Sequence, residues 1–156
     1  MTAPLALDEV CGEAIAEVMA VMGDSFDPEF GEAWTAPQCL SLLSMPGVWL
    51  ILAREDGVPV GFSLSRIVVG EAELLLLAVR KAAHRRGIGG KLLKRFISDA
   101  RGRGANKLHL EVRHGNEAVQ LYKGAGFQEV GRRINYYRGA SGQQYDALTL
   151  AISSEH

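Results

Sequence analysis

The chain has 156 residues, a formal net charge of −1 and 47% hydrophobic residues, which suits one domain over residues 1–156 and argues against long disorder. No apolar run is long enough to span a bilayer, and the acidic start MTAPLALDEV is unlike a signal peptide. Near-neutral charge with 7% aromatic residues gives no sign of a nucleic-acid surface.

The expectation is therefore a cytoplasmic protein that binds neither membrane nor nucleic acid. Cys11 and Cys39 fall in stretches that read as helical, with no CxxC and no His cluster, so they read as reduced core thiols. His84, His109 and His114 lack metal-ligand spacing, and no metal is assigned.

Charge is uneven along the chain. Residues 1–53 hold no Lys or Arg but eight acids, Asp8, Glu9, Glu13, Glu17, Asp24, Asp27, Glu29 and Glu32; the remainder carries all 17 bases against ten acids. Solvated helix faces and attraction between the two parts account for this. An acidic rim drawing a basic substrate, opposite a basic part drawing an anion, is the sharper alternative.

In chain order, Cys11, Ile15, Val18, Met19 and Met22 form a helical stripe over residues 8–22. Residues 23–33 read as irregular. Thr35 is an N-cap with Pro37 in the first turn and Leu40, Leu42 and Leu43 behind it. Val48 to Ala53 is a strand, Asp56-Gly57 a hairpin turn, and Val58 to Val69 the return strand.

Leu74 to Val79 (LLLLAV) is an apolar run without alternation, which predicts a strand buried on both faces. After Arg80 to His84 come Arg85-Arg86-Gly87-Ile88-Gly89-Gly90, and then Leu92, Leu93, Phe96, Ile97 and Ala100 at helical spacing until Gly102 and Gly104. A glycine-bearing loop that becomes a helix N-terminus offers unpaired N–H groups and the positive end of a dipole. This is an anion seat, most simply for phosphate; the plain alternative is a turn that needs its glycines only to bend. The dinucleotide pattern GxGxxG fails because Leu92 stands where its third glycine belongs. The pattern GxxxxGK[ST] fails at Arg85 and Leu92.

Further on, Leu108, Leu110 and Val112 alternate with His109, Glu111 and Arg113 as a half-buried strand. Glu117 to Gly124 is a short helix, and Phe127 to Arg133 and Tyr145 to Ile152 are the last strands. The fold class is α/β (α+β), a mixed, mostly antiparallel sheet of six or seven strands flanked by helices.

His84-Arg85-Arg86-Gly87-Ile88-Gly89 resembles the pyrophosphate loop Q/R-x-x-G-x-G/A of the GCN5-related N-acetyltransferases (GNAT), with His84 in the first place. Leu110-Glu111-Val112-Arg113, Asn116-Glu117-Ala118 and Leu121-Tyr122-Lys123-Gly124-Ala125-Gly126-Phe127 resemble that family's later motif. Ser25-Phe26, Trp34-Thr35, Gly131 to Tyr137 and Asp146-Ala147-Leu148 are similar to the ribosomal-protein alanine N-acetyltransferase branch. Asn116 precedes Tyr122 by six positions where the family has seven, so either a loop is one residue short or Gly115 takes the Asn place. Leu76 stands where the branch often has Asn.

The resemblance implies acetyl-CoA as co-substrate and a protein N-terminal amine as acceptor, with a ribosomal protein as one such acceptor, in a monomer or homodimer. It implies splayed central strands, with backbone N–H groups of Leu77, Ala78 and Val79 holding the thioester carbonyl. Arg85, Arg86, Gly87, Ile88, Gly89 and Gly90 would hold the pyrophosphate, with Asn116 as a further coenzyme contact.

The chemistry fits the residues. A protein α-amine with pKa near 7.7–8.0 is roughly a quarter neutral at pH 7.4, against about one Lys in a thousand. A modest base acting through water suffices, and the resemblance makes Glu111 the candidate; read alone, it is rather a solvated or salt-bridged strand residue. Tyr122, protonated at neutral pH, is the candidate acid for the departing thiolate, or else a core tyrosine beside Leu121 and Phe127. Tyr136 and Tyr137 wall a peptide groove or fill a satellite core, and Arg132 and Arg133 read as solvated. A small-molecule amine or Lys side chain as acceptor, and a non-catalytic acyl-CoA-binding module, are the competing readings.

Overall fold

Two tight turns set the start of the sheet. Asp56 and Gly57 both adopt positive φ (52° and 79°) and fold Val48–Glu55 (β2) back onto Val58–Val68 (β3). Val69 and Gly70 do the same (46° and 78°) between β3 and Glu71–Val79 (β4). Positive φ at both central residues matches the right-handed twist of hairpin strands. The structure, a computed structural model, describes residues 4–153.

Lys107–Arg113 (β5), Gln128–Arg138 (β6) and Gln144–Ser153 (β7) follow, with Leu5–Val10 (β1) ahead of them all. They form one seven-stranded sheet in the order β1-β2-β3-β4-β5-β7-β6. Among the described residues only the β4–β5 pair is parallel, and it is joined by the helix Ile88–Gly102 (α3). The fold class agrees with the sequence reading.

Three readings change. Residues 8–10 belong to β1, which pairs with β2 from Leu5↔Glu55 to Val10↔Leu50. Leu5 and Leu7 alternate with exposed residues there, and the helix Ile15–Ser25 (α1) begins only after a short 3-10 turn at Gly12–Ala14. Cys11 is consequently exposed, while Cys39 is buried on the helix Ala36–Leu43 (α2). The stretch read as irregular contains the last three residues of α1 and a 3-10 turn at Pro28–Phe30, capped by Asp27. Thr35 does cap α2, in a reciprocal capping box with Gln38.

The sheet separates two apolar clusters. α3 lays Ile88, Leu92, Leu93, Phe96 and Ala100 on one face, against Trp49, Ile51, Leu108 and Leu110. α1 and α2 cover the other face with Val18, Val21, Met22 and Cys39 over Leu50, Leu52, Phe62 and Leu64. The helix Ala118–Gly124 (α4) follows β5 and adds Val119 and Tyr122 to the first cluster.

Phe96 sits at the centre of that first cluster, 0% exposed and stacked on Trp49 at 6.1 Å between centroids. Phe96→Ala is expected to lower unfolding free energy by about 3–5 kcal/mol through lost burial and a residual cavity, read from urea denaturation. A loss below about 1 kcal/mol would place the core elsewhere.

Candidate active site

The site begins with a fault in β4. Leu74 pairs with Ser65 but Leu76 pairs with Leu64, so Leu75 is an extra residue in the ladder. The bulge puts both Leu75 and Leu76 on the α1/α2 side, whereas Leu74 and Leu77 lie on the α3 side. At the same point β4 loses its other neighbour. The parallel β4–β5 ladder runs from Glu71↔Lys107 only to Leu74↔Leu110.

A cleft of about 970 Å³ lies where the two strands part, and all of Leu74 to Val79 lines it. This corrects the expectation of a strand buried on both faces. Leu75, Leu77 and Val79 are only half-buried, and all three border the cleft.

One end of the cleft is the start of α3. Gly87, at φ +77°, precedes the helix, and the first intrahelical bond is from Lys91 N to Gly87 O at 3.0 Å. The N–H groups of Ile88, Gly89 and Gly90 therefore have no intrahelical partner, and no side chain caps them. Arg85 is held at φ +66°, a conformation costly for a residue with a Cβ. A Cβ on Gly89 would come 3.3 Å from Leu121 Cδ2, so glycine there lets α3 approach α4.

Arg85, Gly87, Ile88, Gly89 and Gly90 line the cleft, and His84 Nε2 lies 2.9 Å from Val79 O. Arg86 is not brought in. Its guanidinium pairs with Glu55 on β2, since a side chain one position from Arg85 leaves the loop in another direction.

The other end is built on β5, the loop after it, and segments distant in sequence. Glu111, with Leu110 and Val112 pointing into the core, faces the cleft and is 14% exposed. Its Oε1 pairs with Arg133 Nε at 2.7 Å. Arg133, read from sequence as simply solvated, thus sits against the candidate base. Tyr122, Tyr136 and Tyr137 also line the cleft, the last two packed edge to face at 5.0 Å. Tyr122 packs its edge on Phe127 at 6.2 Å and is both a core residue and a cleft residue.

Asn116 lines the cleft with its side chain engaged on both sides. Its Nδ2 donates to Glu32 Oε2 and its Oδ1 accepts from Ala118 N, each at 2.8 Å. Glu32 is the residue that sequence reasoning missed as part of the site. Its carboxylate, 10% exposed, also pairs with Arg113 at 3.2 Å, and Arg113 lies over the Phe30 ring at 3.6 Å. No local pattern marks it, because Arg113 and Asn116 are more than eighty residues away.

The Acetyltransferase (GNAT) family model matches residues 15–127, most of the chain. The chain belongs to the GNAT family. A relative from Mycobacterium tuberculosis named N-alpha-acetyltransferase RimI is 33% identical over 145 residues, 90% of this chain and 87% of that one. The [ribosomal protein bS18]-alanine N-acetyltransferase of Salmonella typhimurium is 40% identical over 92 residues, 58% of this chain. That match spans 62% of the Salmonella protein's length. The crystal structure of the ribosomal-protein-S18-alanine N-acetyltransferase from Escherichia coli superposes with a TM-score of 0.86 at 25% identity, covering 98% of this chain and 96% of that one.

In this GNAT chain the tyrosines of the cleft are strongly biased toward the protonated form. Burial pushes the Tyr122 phenol far above its ordinary value, and the nearby Tyr137 and Glu32 add to the shift. Tyr137 is raised in the same direction, first by burial and then by Glu32. A group whose pKa is higher in the folded state favours folding below its unfolded value, near 10, and loses that contribution as pH rises beyond it. Stability is therefore expected to fall above about pH 10, and Tyr122→Phe to flatten that fall. Phenolate absorbance followed alongside circular dichroism checks this; Tyr122 ionising with the chain still folded at that pH contradicts it.

Proposed function

We propose that this chain is an acetyl-CoA-dependent N-acetyltransferase whose acceptor is a protein N-terminal α-amine, in the first instance that of a ribosomal protein met in the cytoplasm. The observation that carries the reading is one continuous cleft. Three unpaired helix amides, the open edge of β4, a carboxylate and a phenol all line it. The named relatives that act on ribosomal protein bS18 point to the same acceptor. The chain acts as a single domain.

Each group has a role its chemistry permits. The amides of Ile88, Gly89 and Gly90, with Gly87 giving close approach and Arg85 at the rim, hold the diphosphate of the coenzyme. The backbone of Leu77, Ala78 and Val79, left without a β5 partner, receives the acyl-bearing arm and its carbonyl. Acetyl-CoA supplies the activated acyl group. The amine nitrogen bonds to the carbonyl carbon and the carbon–sulfur bond breaks.

Glu111 takes the proton released from the amine, directly or through water, once Arg133 shares or yields the carboxylate. Arg133 is 61% exposed, so moving it costs little, since exposed ion pairs are worth about 0–1 kcal/mol. Tyr122, kept protonated by its surroundings, donates to the departing thiolate.

Peptides that differ only in the first residue, together with a polyamine and amino-sugar panel, test the acceptor. Acetylation of peptide α-amines is expected, and acetylation confined to small amines or Lys side chains refutes the reading. Glu111→Gln is expected to lower kcat by about 10²–10⁴-fold, and Tyr122→Phe to lower it in the same direction. Acetyl-CoA affinity by calorimetry should stay unchanged in both. Full activity in both variants removes them from these roles.

A further inference from the structure

The helix that carries Tyr122 is held in the core by Val119 and Tyr122, but its first amide relies on a side chain from outside the helix. α4 has seven residues, too few to be stable alone, and its N-cap position, Glu117, makes no side-chain cap. The free amide of Ala118 is satisfied instead by Asn116 Oδ1 at 2.8 Å. A side-chain amide can cap in this way only if its oxygen, not its nitrogen, faces the N–H. Glu32 decides that. Its Oε2 accepts from Asn116 Nδ2 at 2.8 Å, which turns Oδ1 toward Ala118, while its Oε1 accepts from Arg113 Nε at 3.2 Å.

Glu32 belongs to a strap that is tied down elsewhere. Asp27 caps its 3-10 turn, and the Glu29 carboxylate accepts from both N and Oγ of Ser141 in the β6–β7 connection. Ala140 N donates to Pro28 O at 3.2 Å, and Phe30 packs edge to face on Tyr145 at 5.2 Å. Gly139 lets the two backbones touch, for a Cβ there would overlap Glu29 O. The strap thus crosses from the β6–β7 side of the cleft to the start of α4.

We propose that Glu32 is a positioning residue for Tyr122: by setting the orientation of the Asn116 amide it fixes the first turn of α4, and through it the phenol. The proposal rests on the reading of Tyr122 as the acid. It assigns Asn116 a structural link in the cleft wall. The Glu32 carboxylate also disfavours a phenolate at Tyr122.

An exchange of chemistry between the two side chains tests this. In Glu32→Gln, one acceptor oxygen becomes a donor. Arg113 can only donate, so it keeps the remaining oxygen, and the new NH₂ faces Asn116 and turns it over. The cap on Ala118 is then lost. In the double variant E32Q/N116D, a carboxylate at position 116 again offers an acceptor both to the new NH₂ at position 32 and to Ala118 N. The total charge is that of the wild type.

For E32Q, kcat is expected to fall about tenfold or more, with the acetyl-CoA Kd unchanged. E32Q/N116D should recover to within about threefold of wild type. Amide exchange at Ala118 and Val119, which needs no turnover, should be slow in the wild type, fast in E32Q and slow again in the double variant. Wild-type kcat in a folded E32Q, or no recovery in the double variant, overturns the proposal. So does an exchange pattern that leaves kcat unmoved. A wild type that acetylates no amine defeats the acyl-transfer reading instead, while the exchange pattern still reports on the link.

Discussion

Everything in the site depends on β4 and β5 parting at Leu74 and Leu110. A parallel pair with a helix on its face is ordinarily closed along its length, because each unpaired amide or carbonyl buried between strands is costly. Here the bulge at Leu75 changes which residues face which side within one step, and the ladder ends there. The opening leaves backbone polar groups on the β4 edge facing a cleft instead of a strand. It also brings the α3 N-terminus and the β5–α4 loop to the wall of one cleft.

Half of the acids in the segment without bases pair with arginines from the rest of the chain. All eight acids of residues 1–53 have partners. Asp8 and Glu17 pair with Arg54, Glu9 with Arg103, and Glu32 with Arg113. Glu13, Asp24, Asp27 and Glu29 accept from the amides of Cys11, Lys81, Glu29 and Ser141. Most of these pairs are exposed and individually worth little. Glu32 and Arg113 differ, at 10% and 11% exposure, because a buried charge without its partner is strongly destabilising. The one nearly buried pair in this set is also the one that lines the cleft.

The two proposed proton-handling groups sit in contrasting surroundings. Glu111 keeps an exposed guanidinium against its carboxylate at the wall of the cleft. Tyr122 is packed among apolar side chains with carboxylate charge nearby, which holds its proton in place. A carboxylate beside a movable cation and a phenol shut away from water are the contrast that the proposed exchange of protons draws on.

Local order was enough to reveal much of the architecture. Helical spacing from Leu92 to Ala100, the Asp56-Gly57 turn, the Thr35 cap and the alternation of Leu108, Leu110 and Val112 each encode their element in neighbouring residues, and each is found. The glycines after Arg86 and the outward-facing Glu111 were legible for the same reason. β1 was not, because two leucines and a valine among acids make too short a pattern to outweigh the helical stripe that follows. Tertiary structure alone decided the direction of Arg86, the pairing of Arg133 with Glu111, and the bulge at Leu75 within a run of four identical side chains. It alone brought Glu32 to Asn116. A side chain's partner across more than eighty residues depends on how whole elements dock, and nothing in the residues beside it records that.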